Sequence, residues 1–460
     1  MSALNEADWM PEPVPGASRR NYLFLQGPIG TFFSRLAARL RGQGHGVHRI
    51  NLNGGDRIFW NLPGALDFRG TVEQWAEFLN DQLLRRDITD IVLFGDCRPP
   101  HRTATRLARR HGIRVHVFEE GYLRPNWVTL ESGGVNRNSL MPRDPEWFKS
   151  AADQVGHWDS GVPVLSSFVR RAAEDVLYNL TIVFTAWRYP AYRTHKPWHP
   201  LVEYAAGAKR FPMKPWSKRR KLALLQQILG SAQPYYLFPL QLDADSQIRF
   251  HSPFGRMAPA IKKVIDSFAN SAPADALLVI TEHPLDTGLV ELGRITRECA
   301  AAAGVAERVV YLQGGSPDEL VRGSAGVVTV NSTMGILALT FGVPVVALGH
   351  AIYDMPGLTF QHGLDDFWSR GTSPDAAAFD AFRRVVASRT QVNGGFYSHM
   401  GLELAVAGSL ARLEMAAKDY PVRALSAIAA DDDIRSGERA VELMPGLVTQ
   451  VWDDVEAISE

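Results

Sequence analysis

Short apolar runs alternate with amphipathic helical patterns along most of this 460-residue chain, and the alternation falls into two separate blocks. In the first, apolar runs at 22–25, 46–52, 90–94 and 114–118 are interleaved with helical patterns at 31–40, 72–85 and 102–111. Strands and helices alternating at this spacing predict a parallel sheet covered on both faces. The second block carries runs at 235–239, 276–281, 308–312, 326–330 and 344–348, with helices between them, and predicts a second sheet of the same kind. Between the blocks, residues 164–229 form long helical patterns punctuated by Tyr189-Pro190, Lys196-Pro197 and His199-Pro200, with a basic stretch at 209–221. Such punctuation predicts a helical insertion. The expected boundaries are a flexible N-terminus over 1–20, a first lobe over 21–163, the insertion over 164–231, a second lobe over 232–395, and a C-terminal helix and tail over 396–460.

A chain of this length suits two domains rather than one core. Forty-nine basic residues balance forty-nine acidic ones, so no global field gathers nucleic acid or an anionic membrane, and any anion site has to be local. The two cysteines, Cys97 and Cys299, lack the clustering of a disulfide framework or a zinc site, which predicts a reducing compartment and no metal. Residues 1–20 are Pro-rich and acidic rather than basic then apolar, unlike a secretory signal. The longest apolar stretch, 176–187, is about half the roughly 20 residues a bilayer span requires. A cytoplasmic protein is the expectation.

Parallel sheets bind ligands beyond the carboxyl ends of their strands, and six segments place unusual residues there. Gln26-Gly27-Pro28-Ile29-Gly30 follows the first run, where Gln26, Gly27 and Gly30 suit close backbone approach to an anionic ligand or an ordinary strand-to-helix turn. Glu119-Glu120-Gly121-Tyr122-Leu123-Arg124 ends another run with two carboxylates and a cation: acid–base groups with an anion-binding fork, or an ion pair closing the loop. In the second block Gln241-Leu242-Asp243-Ala244-Asp245 offers Asp245 as nucleophile or base, or as a turn cap. Arg249 and His251, expected to begin a helix, either enter the cleft or sit in a solvated loop. His283-Pro284 suits donation to a phosphate oxygen or a purely structural histidine. Asn331-Ser332-Thr333-Met334-Gly335 precedes a helix and suits either an anion cradle or N-capping. No Walker sequence, dinucleotide fingerprint, nucleophile elbow or metal-spaced His/Cys cluster is present.

Together these segments resemble the KpsS-type capsule polysaccharide biosynthesis proteins, relatives of the KpsC retaining β-Kdo transferases. The resemblance is carried by residues 22–30, Asn53-Gly54-Gly55-Asp56, Leu93-Phe94-Gly95-Asp96-Cys97-Arg98-Pro99, residues 118–125, Pro239-Leu240-Gln241, residues 250–254, His283-Pro284 and Asn331-Ser332-Thr333, across about 20–400. It implies an α/β fold of two Rossmann-like lobes facing a central cleft, GT-B-like, with the helical insertion between them. It implies transfer of Kdo, an acidic eight-carbon sugar, from CMP-Kdo to lysophosphatidylglycerol with retention, and no cofactor or metal. The implied partners are the inner-membrane surface at its cytoplasmic face, a KpsC-like transferase and capsule export machinery. Glu119, Glu120 and Asp245 become the catalytic candidates, with His283, Pro284, Asn331, Ser332 and Thr333 toward the nucleotide and Arg124 or Arg249 toward the sugar carboxylate. Relatives read Glu-Asp-Gly-Phe in the first-lobe motif, so Glu120 stands one methylene longer here, and Gln241 and Asp245 reproduce their Gln-x-x-x-Asp pattern. Two alternatives remain: a same-fold transferase using another nucleotide sugar, and a noncatalytic capsule assembly or export factor.

Overall fold

Seven strands build the first sheet: β1 (Asn21–Phe24), β2 (Gly46–Asn51), β3 (Ala65–Asp67), β4 (Asp90–Phe94), β5 (Arg114–Glu120), β6 (Trp127–Ser132) and, from far along the chain, β12 (Gln391–Asn393). Five build the second: β7 (Tyr235–Pro239), β8 (Leu277–Thr281), β9 (Val309–Leu312), β10 (Gly326–Thr329) and β11 (Val345–Ala347). This is a computed structural model that describes residues 19–194, 197–210 and 218–419. The N-terminus through residue 18, residues 211–217 of the basic stretch, and the tail beyond Asp419 lie outside the described residues. Residues through Met415 form one compact unit that holds both sheets; a second unit begins at Ala416.

The strand orders are β12-β6-β5-β4-β1-β2-β3 and β11-β10-β7-β8-β9. β1 to β5 run parallel, as does the whole second sheet. Apolar clusters cover both faces of each sheet, as the continuous burial of strands such as β7 requires. Each lobe is thus Rossmann-like, and together they make the expected α/β architecture. Each sheet also has a point where the chain reverses its direction of winding, between β1 and β4 in one and between β7 and β10 in the other. Ligand crevices of open α/β sheets form at such points.

Four differences between expectation and structure bear on the site and on the surface of the insertion. β5 runs two residues past the expected 118, so Glu119 and Glu120 are strand residues, and the period of two sends them to opposite faces. β6 and β12 pair antiparallel where only parallel strands are expected, and β12 with the helix His399–Asp419 returns the chain to the first lobe. Leu402, Ala405, Val406 and Leu410 pack there with Phe24 and Phe118. The segment around Arg249 and His251 ends one short helix, Ser246–Arg249, and links it to Met257–Ser271 rather than beginning a helix. The insertion's first helix spans Phe168–Phe184, and Trp187 falls in the following turn Ala186–Arg188.

At the amino end of the central strand β4, opposite the strand ends that form these crevices, the fully buried Asp90 collects Arg20, Arg114, His116 and Thr89 around one carboxylate. Burial opposes its charge, but the hydrogen bonds from His116, Arg20 and Arg114 outweigh it and hold the carboxyl well below the ordinary range. Removing one partner of a buried ionic group strands the others. Asp90→Ala is expected to lower stability by about 3–5 kcal/mol, read as a drop in the urea midpoint.

Candidate functional site

The loop between β7 and the short helix Ser246–Arg249 brings the second lobe's carboxylate to the cleft. Asp245 caps that helix by accepting from the Gln247 N–H at 2.9 Å. From the same residue, Gln247 Nε2 reaches across to Glu119 Oε1 at 3.4 Å. Glu119 also accepts a hydrogen bond from the Asn136 side-chain amide. Burial, followed by the negative charges of Asp96 and Asp245, pushes the Glu119 carboxyl up to about 8, against the opposing bonds from Asn136 and Gln247. The Asp245 carboxyl is raised by burial too, restrained by Gln247, by a hydrogen bond from Gln241 and by the charge of Arg124.

Glu120, on the other face of β5, lies 3.4 Å from Arg124 Nη1 and 3.9 Å from Arg171 Nη1. The two glutamates therefore do different things: Glu119 faces Asp245 and Glu120 faces cations. Gly121 follows them because a Cβ there would run into the Trp127 carbonyl as the chain turns toward β6. Asp243 spends Oδ1 on the Met257 N–H at 2.8 Å, at the start of the next helix, and Arg249 has Asp243 and Arg256 as its charged neighbours. Of the two aspartates in the loop, Asp245 is the one whose charge stands among the main influences on Glu119.

The remaining sequence candidates divide. Asn331 follows β10, and its N–H donates to Gln241 Oε1 at 3.1 Å, joining the two sides of the second-lobe crevice. Its amide donates to the carbonyls of Gln247 at 2.9 Å and His251 at 2.6 Å, so Asn331 braces the loop that carries Asp245. Ser332 Oγ accepts from the Met334 N–H, and Thr333 stands at the N-cap of the helix Met334–Thr340 without a side-chain capping bond. Gly335 makes room for the Tyr353 hydroxyl. His283 follows β8 on the same sheet edge, with Nδ1 accepting from the Leu285 N–H, and Pro284 beside it is exposed. On the first lobe Gln26 is buried against Asp56 and Tyr178. Gly27 and Gly30 line a small pocket with Arg49, Asp56, Trp60 and Tyr178.

Asn136 and Gln247 are not marked by the sequence, and Asp96 and Cys97 stand there only within a segment that carries the family resemblance, with no role assigned. Asp96 and Cys97 follow β4, and that strand-end position is the signal that could have marked them. Asn136 adopts φ 55°, a left-handed conformation that asparagine tolerates better than most residues; its backbone N–H is held by the Tyr122 hydroxyl at 2.8 Å, which itself donates to Glu131 at 2.6 Å.

Residues 89–397 match the family model described as capsule polysaccharide biosynthesis protein. The chain is 36% identical over 382 residues to the capsule polysaccharide export protein KpsS of Escherichia coli, covering 83% of this chain and 97% of that one. It is 34% identical over 402 residues to the capsule polysaccharide modification protein LipB of Neisseria meningitidis, covering 83% and 93%. The chain belongs to the capsule polysaccharide biosynthesis protein family. Among solved structures, the β-Kdo 2,7 transferase of Thermosulfurimonas dismutans KpsC aligns over 85% of this chain and 99% of its own at 15% identity and a TM-score of 0.42.

A glutamate whose carboxyl is raised in the native state keeps its proton after the unfolded chain has lost it. From pH 4.5 to about 8 Glu119 therefore costs native stability increasingly as pH rises. The neutral Glu119→Gln variant is expected to gain stability relative to wild type across that window, with the difference levelling off above it, as read from urea midpoints at each pH.

Proposed function

We propose that this protein is a retaining glycosyltransferase that moves Kdo from CMP-Kdo to lysophosphatidylglycerol at a membrane surface, starting the poly-Kdo linker beneath a capsule chain. The observation that carries the reading is the apposition of Glu119 and Asp245, one from each lobe, with Gln247 touching both. Retention takes two displacements, each inverting. Asp245 attacks the anomeric carbon and forms a glycosyl ester as the bond to the CMP phosphate breaks and CMP departs with the electron pair. Esterification removes the Asp245 charge, one of the charges that keeps Glu119 protonated. Glu119 gives its proton to the departing CMP phosphate and, now ionised, accepts the proton of the acceptor hydroxyl, whose oxygen displaces the ester and frees Asp245.

Arg124, which acts on both Glu120 and Asp245, suits the sugar carboxylate by its planar fork. His283, Pro284 and the Ser332–Thr333 turn lie on the sheet edge where the departing phosphate would sit. Asn331 acts behind them by bracing the Asp245 loop, and Arg249, paired toward Asp243, ranks below Arg124.

A lipid acceptor calls for a membrane-facing surface. Among the described residues no helix is long and apolar enough to cross a membrane. The insertion nevertheless exposes Phe168, Val169, Phe184 and Trp187 by two thirds or more, and Val169, Val176, Leu177 and Phe184 recur along one side of its first helix. An apolar stripe with a basic stretch following in sequence fits the boundary of an anionic leaflet.

Incubation with CMP-Kdo and lysophosphatidylglycerol should yield a Kdo-bearing lipid by mass spectrometry, and Asp245→Asn should lower CMP release by at least about a thousandfold. Near-normal turnover of that variant removes Asp245 from the nucleophile's role. Wild-type protein should float with anionic vesicles at low salt, whereas a Phe184→Asp, Trp187→Asp double variant with an unchanged circular dichroism spectrum should not.

A further inference from the structure

Cys97, at the carboxyl end of β4, and His251, in the second lobe, meet across the cleft although 154 residues separate them. Sγ of Cys97 lies 3.2 Å from His251 Nε2 and 3.3 Å from Asp96 Oδ1. The three ligand atoms fall within 4.8 Å of one another, and all three residues are buried. We propose that Asp96, Cys97 and His251 form an interlobe site for a borderline-soft divalent cation, zinc by the nature of the donors.

The geometry fits such an ion. Metal–sulfur bonds of about 2.3 Å and metal–nitrogen or metal–oxygen bonds of about 2.0–2.2 Å place tetrahedral ligand atoms roughly 3.3–3.6 Å apart. Both distances from Sγ lie close to that range, and the third edge, from His251 to Asp96, is no longer than 4.8 Å. The ligand set is mixed, one thiolate, one imidazole and one carboxylate, which suits zinc better than a hard cation. Charge balances as well, since a thiolate and a carboxylate neutralise a divalent ion in a buried place.

Surrounding groups orient the ligands. Asp96 Oδ2 accepts from the Val135 N–H at 3.1 Å and from Asn138 Nδ2 at 3.0 Å, which leaves Oδ1 turned to the thiol. The backbone carbonyl of His251 accepts from Asn331 Nδ2 and from the His350 N–H at 3.0 Å. Its Nδ1 is buried and has no hydrogen-bond partner among the described residues. Without a cation the single thiol proton serves only one of its two neighbours, and carboxylate, thiol and imidazole stay desolvated together. With one, three protein ligands leave a fourth position for water or a substrate oxygen, and the ion ties the crevice of one lobe to the other. The site concerns metal affinity and stands independently of the donor sugar.

The test is titration of the full-length, chelator-stripped protein with cobalt(II). One cobalt per chain should bind with a near-ultraviolet thiolate-to-cobalt charge-transfer band, and zinc should displace it. Cys97→Ser should abolish the band, and His251→Gln and Asp96→Asn should each weaken binding by roughly a hundredfold. Cys299→Ser should leave both unchanged. His251→Cys, which keeps a ligand, should retain binding with a stronger charge-transfer band, so that loss in His251→Gln is not read as misfolding; circular dichroism checks the others. Absence of the band in wild type, its survival in Cys97→Ser, or its loss in Cys299→Ser overturns the proposal.

Discussion

Gln247 gives its backbone N–H to Asp245 and its side-chain amide to Glu119, so a single residue of the second lobe holds one carboxylate from each lobe. Two carboxyls drawn out of water together resist ionising at once, so Glu119 keeps its proton to about pH 8, and each carboxyl is met by fixed donors: Gln241 and Gln247 for Asp245, Asn136 and Gln247 for Glu119. Much of the surrounding structure keeps those donors in place. Asn331 ties the Asp245 loop to β10, Tyr122 holds Asn136 in its left-handed turn, and Glu131 holds Tyr122. A backbone conformation of this kind costs on the order of 1 kcal/mol or more, and it persists where the surrounding packing over-determines it.

The same arrangement divides labour between neighbouring residues. Glu119 and Glu120 are adjacent in sequence, yet the pleat of β5 directs one to the acid cluster and the other to Arg124 and Arg171. Burial and repulsion therefore act on Glu119, while Glu120 lies among cations. Asp243 and Asp245 are separated in a similar way, because the first caps the helix Met257–Ser271 and the second faces the cleft. Far from the cleft, the ion cluster on Asp90 ties β4, β5 and the entry to β1 together, with Arg20 also donating to the Leu413 carbonyl at 2.6 Å.

Most of the parallel strands were legible from the sequence because burial on both faces writes them as continuous apolar runs; 90–94 and 235–239 coincide with β4 and β7. β3 and β12, of three residues each, were not, since so short a strand carries no period. β6 was hidden by its place just after a turn, and its antiparallel pairing depends on β5 rather than on its own residues. The helix His399–Asp419 was visible as a helix, but nothing in its sequence says that it covers the first lobe.

For the site, the sequence by itself determined which chemistry each strand end carries: carboxylates after β5 and β7, a histidine after β8, an asparagine after β10. Those positions follow from local pattern, because the end of a buried strand is readable within a few residues. Tertiary structure decided which of them meet. Glu119 rather than Glu120 faces Asp245, Asn331 braces instead of standing open, and Cys97 finds His251 across 154 residues. Such choices depend on strand pleat, on the packing of one lobe against the other and on loops that close over long separations, and none of these leaves a periodic trace in the chain.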